Sequence, residues 1–368
     1  MRSAAALGSL LLLLPALVGC SSCTRREGPT PPEKARAIPR FDVHTHIHPR
    51  ELRHAMQILG RNGVVGSVNL SGGQGRSLTA HLAAAKEFGG RSLVFTNLST
   101  ENFLGEGFVE HELAALEDAR ERGARGLKIY KALGLGFTDP EGRRVKVDDP
   151  RLDPIFEACG RLGFPVAIHT GDPKAFFTPL TPENERWDEL SVHPQWSFHG
   201  NGNPTWEELF GEYERRVARH PKTTFIGVHF GNDPEEPARV GAMLDRYPNL
   251  LIDTAARVPE IGRMDPAQLR KIFVDHRTRI LFGTDFALYG GEMMLGSSGS
   301  EVPSEADADR FFSSHWRFFE TADRKMAHPT PIQGKWTVDG IALPEEVLED
   351  VYHRNAERLF GLPPLTLP

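Results

Sequence analysis

From Arg40 onward, short apolar runs alternate with longer stretches whose apolar residues recur every three or four positions. The short runs fall near Phe41 and over residues 64–70, 92–98, 126–131, 165–170, 223–230, 250–254 and 280–285. Their length and β-branched content predict eight strands. Between them, residues 109–122, 206–219 and 238–247 carry helical periodicity, and Asp149-Pro150 and Asp265-Pro266 have the form of helix starts. Alternation of this kind predicts an α/β fold, a single-domain (β/α)8 TIM barrel over residues 40–362, with a last helix over 344–360 packed on it. A doubly wound parallel sheet is the alternative. Two segments break the rhythm, 171–204 with Trp187, His193, Trp196 and His199, and 287–303, rich in Gly and Ser with two methionines. Both are expected to be long loops that shape a pocket.

Metal-ligand residue types sit at the ends of several runs. Phe41-Asp42-Val43-His44-Thr45-His46 places two histidines two apart, on one side of a strand. His169 ends Pro165-Val166-Ala167-Ile168-His169, His229 ends the run 224–229, and Asp285 follows Phe282-Gly283-Thr284. A barrel gathers its strand ends on one face, which would bring these groups together; an open sheet does this less readily. Each histidine alone reads as a hydrogen-bonded core residue. His48 precedes Pro49, where the chain turns away, and His193 and His199 fit solvated loop positions. The aromatic group 316–319 reads as core, and the charges between Glu112 and Glu121 as a solvated helix face.

The 368 residues are 25% charged and 39% hydrophobic, ordinary for a globular protein, and a net charge of −6 without a basic stripe excludes a nucleic-acid partner. The amino terminus differs. Arg2 and an apolar run from Ala4 to Val18 form a targeting segment too short for a comfortable membrane span. It ends in Leu17-Val18-Gly19-Cys20, which resembles the lipobox of bacterial lipoproteins. That resemblance implies lipidation at Cys20, a signal segment over 1–20, and location in the bacterial cell envelope, lipid-anchored to a membrane outside the cytoplasm. A plain cleaved signal, or a short membrane anchor, is the alternative. Residues 21–39, rich in Pro, Arg and Glu, read as a flexible tether. Cys23 lies in that tether and Cys159 on a helix, so no disulfide framework is expected.

The ordered set DVHTH, AIHTG, GVHFG and FGTD, with the closing YHRNAERLFG, resembles the amidohydrolase superfamily. The nearest likeness is the amidohydrolase-related branch that includes aminocarboxymuconate-semialdehyde decarboxylase. The resemblance implies a metal-dependent barrel in which His44, His46, His169 and Asp285 bind a divalent metal, Zn²⁺ first, with Mn²⁺ or Fe²⁺ possible. One ion is favoured and two are possible. A bound metal lowers the pKa of water from ~15.7 towards ~7. Asp285 would also serve as general base, and His229 would polarise a carbonyl or protonate a leaving group. Lys128, in Gly126-Leu127-Lys128-Ile129-Tyr130, has three readings: a carboxylated bridge between two metals as in dihydroorotases, a cation for an anionic substrate, or a structural lysine. Arg257 is a second anion-binding candidate. Two reactions share such a scaffold. One is hydrolysis of a small amide, ester or lactone through a metal-activated water; the other is non-oxidative decarboxylation of an aromatic or unsaturated acid. A non-catalytic solute-binding lipoprotein is a third reading. Substrate identity and oligomeric state leave no mark in the sequence.

Overall fold

The computed structural model describes residues 38–200 and 202–367. The signal segment, residues 21–37 of the tether, Cys20 and Cys23 therefore lie outside the described residues. Among those residues, no helix is long and apolar enough to cross a membrane.

The predicted runs form strands in order: β1 (Arg40–Ile47), β2 (Val64–Asn69), β3 (Ser92–Val94), β4 (Thr96–Asn97), β5 (Leu127–Ile129), β6 (Val166–Ile168), β7 (Phe225–Gly227), β8 (Leu250–Asp253) and β9 (Ile280–Leu281). β1, β2 and β3 pair in parallel, as do β4 to β9. β3 and β4 are one run interrupted at Phe95, whose amide donates to Asn69 O while the Thr96 amide donates to Gly126 O. At the other edge the Val43 amide donates to Phe282 O. These bonds join the two arcs into a closed ring of eight parallel runs, and the doubly wound alternative falls away.

The barrel interior is layered. Phe41, Val43, Val68, Leu93, Phe95, Ile226, Val228 and Leu281 make a dry lower core. Phe360 plugs it from below, its ring 6.5 Å from Phe41 and 6.0 Å from Phe95. Above this core the interior turns polar, with Lys128, His169, Asp253 and His44. Strict alternation along β1 would turn His44 away from Val43. The pairing of β1 with β2 slips between Asp42 and Thr45, and this irregularity lets both Val43 and His44 face inward.

The outer helices agree with the periodicity. Phe108–Arg122, Trp206–Arg219 and Pro237–Arg246 are helical, and Asp149 and Asp265 accept hydrogen bonds from Arg151 N and Gln268 N at helix starts. Cys159 is buried and free on the helix Asp153–Leu162. Three expectations are corrected, and one element is added that the pattern did not predict. Glu112 is not on a solvated face: it is buried and accepts hydrogen bonds from Gln74 Nε2 at 2.8 Å and Ser99 N at 3.3 Å. The segment 287–303 is not all loop, because β10 (Phe286–Tyr289) and β11 (Glu292–Leu295) form a hairpin that adds to β1. A further hairpin, β12 (Met326–Ala327) with β13 (Thr337–Val338), was not legible in the pattern. The final helix is broken into Glu345–Glu349, a wider turn at Asp350–Arg354 and Asn355–Phe360.

A buried ion pair ties the start of the barrel to the last third of the chain. Arg40 Nη2 donates to Glu320 Oε1 at 2.8 Å, Tyr352 Oη donates to the same oxygen at 3.0 Å, and the guanidinium lies 4.1 Å over the Trp316 ring. Removing one partner strands a buried charge. Glu320→Ala should lower unfolding stability by about 3–5 kcal/mol in denaturant titrations. A loss below about 1 kcal/mol would show that the pair is not needed.

Candidate metal centre

At the upper mouth, ligand-type atoms of His44, His46 and Asp285 all lie within 4.8 Å of one another. Asp285 Oδ1 is 3.4 Å from both His44 Nε2 and His46 Nε2. Backbone geometry produces this convergence. Asp285 has φ 63°, His229 φ 56°, Phe230 φ 57° and Ala256 φ 56°, all in the left-handed region that non-glycine residues avoid. The chain turns abruptly as it leaves these strands, and His229 and Asp285 stand at two of the turns, while Phe230 packs outward on Phe273. Such outliers cost of order 1–3 kcal/mol each and gather at functional sites. Gly283 permits the close packing beneath: a Cβ there would stand 3.1 Å from the Cβ of His44.

Hydrogen bonds set the face each imidazole presents. His44 Nδ1 donates to Asp253 Oδ2 at 2.8 Å, which leaves Nε2 bare. His229 Nδ1 donates to Ala255 O at 2.9 Å, with the same result. His46 Nδ1 is 2.6 Å from Ser71 Oγ, itself 3.1 Å from Tyr130 Oη, which donates to Leu70 O at 3.1 Å. With Tyr130 donating to Leu70 O, a chain running from His46 to Ser71 to Tyr130 to Leu70 gives every hydroxyl and the Nδ1–H an acceptor. His46 Nε2 is then also a lone-pair face. A carboxylate or carbonyl holding the far nitrogen is the usual companion of a metal-binding histidine.

Burial favours the neutral form of three rings, those of His46, His169 and His229. It holds His46 and His229 well below the ordinary histidine value, helped by neighbouring positive or imidazole groups, and pushes His169 down to about 3 against the opposing pull of Asp172. Burial raises Asp285, while His44, Lys128 and Arg257 oppose it. His44 Nε2, His169 Nε2 and Lys128 Nζ are buried without a hydrogen-bond partner among the described residues. Bare imidazole nitrogens beside a carboxylate suit a divalent cation, and leaving them bare in a buried interior is otherwise costly. The residues present therefore fit a metal.

The other expected residues are placed as follows. His169 lies outside the tight trio; its ring is 4.3 Å from His229 and its Nε2 3.5 Å from Asp172 Oδ1. His229 packs 4.9 Å from the His44 ring. Lys128 is buried beneath the mouth, where burial pushes its ammonium down to about 8 while Asp253 and Asp285 support the charge. Arg257 and Lys131 line a cavity of about 190 Å³ with Asp172, His169, His229, Asp285, Phe176 and Trp196. Lys128 is not in that lining. Of the loop histidines, His193 stacks on Trp196 at 4.0 Å, and His199 Nδ1 donates to Phe177 O. His48 caps the turn Pro49–Glu51.

Asp253 is the functional residue that motif reading passed over. Its Oδ1 accepts from the amides of His229 at 2.7 Å and Ala255 at 3.1 Å, while Oδ2 holds His44. The available signal was an acidic residue closing the strongly apolar run Leu250–Asp253. Asp253→Asn keeps the shape but removes the charge behind His44. We expect metal affinity to fall about 10- to 100-fold, read by competition with a chelator. Unchanged affinity would make Asp253 a packing residue only.

Comparison with known proteins follows the same lines. No curated protein matches the chain in sequence. Among solved structures, an uncharacterized TIM-barrel protein from Bordetella bronchiseptica is similar at 15% identity and TM-score 0.53, over 88% of this chain and 99% of that one. A 2,6-dihydroxybenzoate decarboxylase is similar at 16% identity and TM-score 0.52, over 88% of this chain and 100% of that one. At such identities the likeness is one of fold. The family model described as amidohydrolase matches residues 102–362, well over half of the sequence, though it stops short of His44 and His46. A barrel of parallel strands, a histidine–histidine–aspartate cluster at its mouth and this match together show that the chain belongs to the amidohydrolase family.

Proposed function

We propose that the protein is a metal-dependent hydrolase of a small carbonyl-containing substrate, an amide, ester or lactone. The observation that carries this reading is Asp285, whose one carboxylate oxygen stands at equal distance from two bare imidazole nitrogens beside a walled cavity. His44, His46 and Asp285, with His169 as the fourth candidate, would hold one divalent ion, zinc first. When bound, the ion supplies Lewis acidity toward a carbonyl oxygen. Asp285 takes the proton of the attacking water. His229, neutral and with Nδ1–H tied to Ala255 O, accepts a proton at Nε2 before it can pass one to the leaving group. Arg257 pairs with an anionic group of the substrate, and Phe176 and Trp196 exclude bulk water.

A second reading, non-oxidative decarboxylation, draws on the same buried Arg257, which would then grip the departing carboxylate. The 2,6-dihydroxybenzoate decarboxylase among the structural relatives is consistent with it. The third reading, a solute-binding protein, predicts ligand binding without turnover. Lys128 keeps its open roles; the single-ion reading treats it as an unmodified buried cation.

A metal-replete screen over amides, esters, lactones and aromatic acids, in ¹⁸O-labelled water with carbon dioxide trapping, separates the readings. Hydrolysis places one ¹⁸O in the acid product; decarboxylation releases carbon dioxide without it. The screen should find hydrolysis, with about one metal per chain, lost when His44 and His46 are both Ala. His229→Asn should keep the metal and lower kcat at least ~100-fold with little change in KM. Carbon dioxide release alone, or full metal content in the double variant, would overturn the proposal.

The Leu17-Val18-Gly19-Cys20 segment supports anchoring of this activity in the bacterial envelope through a lipidated Cys20. Cys20→Ala should move the protein out of the membrane fraction or stall its processing. An unchanged mature mass and detergent partition would contradict lipidation.

A further inference from the structure

The cavity beside the histidines is lined in part by a segment that no motif singled out. The turn Pro331–Gln333, between β12 and β13, brings Gln333 into the cavity wall. Gln333 is 1% exposed. Its Nε2 donates to Gly296 O at 3.3 Å, just past the β10–β11 hairpin, which fixes the orientation of the amide. Its Oε1 is buried and has no hydrogen-bond partner among the described residues. A buried carbonyl oxygen left without a donor is costly, and native structures rarely tolerate one without cause.

No donor of the lining makes a hydrogen bond to it. Arg257 donates through Nη1 to Ala256 O at 3.0 Å, and its Nη2 stands 3.8 Å from Asp172 Oδ1. Lys131 Nζ is held by Asp172 Oδ2 at 2.5 Å. Arg186 is engaged by Glu189 through Nη1 and by Glu260 through Nη2, while its buried Nε has no hydrogen-bond partner among the described residues. Asp172 thus serves Lys131 closely and Arg257 only loosely. The same small cavity is therefore lined by two incompletely paired guanidiniums, those of Arg257 and Arg186, and by Gln333 with its unpaired acceptor, together with the apolar Phe176, Trp196 and Met294.

We infer that Gln333 is a specificity-determining residue that accepts a hydrogen bond from a hydroxyl or amino group of the substrate. The substrate class is then a small hydroxy- or amino-substituted carboxylate derivative, its anion on Arg257 and its donor on Gln333 Oε1. This deepens the proposed function and rests on that reading for the identity of the site. Recognition of this kind discriminates strongly, because an analogue without the donor leaves the acceptor buried and unpaired.

The test reads binding rather than turnover. Mandelate and phenylacetate differ only by one hydroxyl and serve as the probe pair, titrated by calorimetry into the full-length protein as purified. Wild type should bind mandelate at least tenfold more tightly than phenylacetate. Gln333→Leu, which keeps the bulk and removes the acceptor, should bring the two within about twofold. Arg257→Gln should weaken both together. If neither probe binds, if the pair bind equally in wild type, or if the preference survives in Gln333→Leu, the inference is overturned. Survival in that variant would trace the preference to chelation of a metal by the hydroxy acid. Because no step of catalysis is read, selective binding in a protein that fails to hydrolyse would uphold the role of Gln333 while refuting the hydrolase proposal.

Discussion

The site depends on one carboxylate, that of Asp253. It ends β8 with one oxygen on the ring of His44 and the other on the backbone amides of His229 and Ala255. Three separate barrel strands are thereby fixed to one buried charge. The ring of His44 is held with Nε2 toward Asp285, and the left-handed turn at His229 is held by an acceptor its own strand cannot supply. A hydrogen bond to a charged group is worth more than a neutral one, and more again in a dry interior. Without that anion the mouth would carry bare imidazoles and strained turns with nothing to set their directions.

Electrostatics then separates the roles. Burial drives His46, His169 and His229 towards the neutral form, and the same burial raises Asp285 and lowers Lys128. The result is a cluster of uncharged donors and weakened charges that a divalent cation would reorganise. Asp172 shows the opposite balance: burial works to raise it, but Lys131, His169 and Arg257 outweigh that and hold it below the usual carboxylate range. It is a resident anion for the cations of the cavity, which explains why the lining can contain Lys131 and Arg257 together. The cost of this polar layer is carried by the apolar core beneath it and by the Phe360 plug, which leave the upper mouth free for chemistry.

Much of this was legible in the sequence because barrel strands are short, apolar and buried on both sides, so that a polar residue at their carboxyl end stands out. His44, His46, His169, His229 and Asp285 were visible for that reason, and so were the eight strands. Asp253 was hidden because an aspartate after an apolar run also reads as an ordinary strand terminus. The inward turn of both Val43 and His44 depends on a slip in strand pairing, which alternation cannot reveal. Glu112 matched a solvated stripe, yet Gln74 and Ser99, far away in sequence, supply its partners. Gln333 and the hairpin at Phe286–Tyr289 belong to irregular cover over the mouth, whose course is decided by tertiary contacts. The separation of His169 from the tight trio likewise follows from the path of the segment after β6, not from spacing.

The central claim is that His44, His46 and Asp285 hold a divalent metal at the barrel mouth. X-ray absorption spectroscopy on the zinc-loaded protein tests it most directly. The account predicts a four-coordinate first shell of nitrogen and oxygen at about 2.0–2.2 Å, with imidazole outer-shell scattering from at least two histidines and no sulfur. A sulfur shell near 2.3 Å, or zinc surrounded by water oxygens alone, would contradict it.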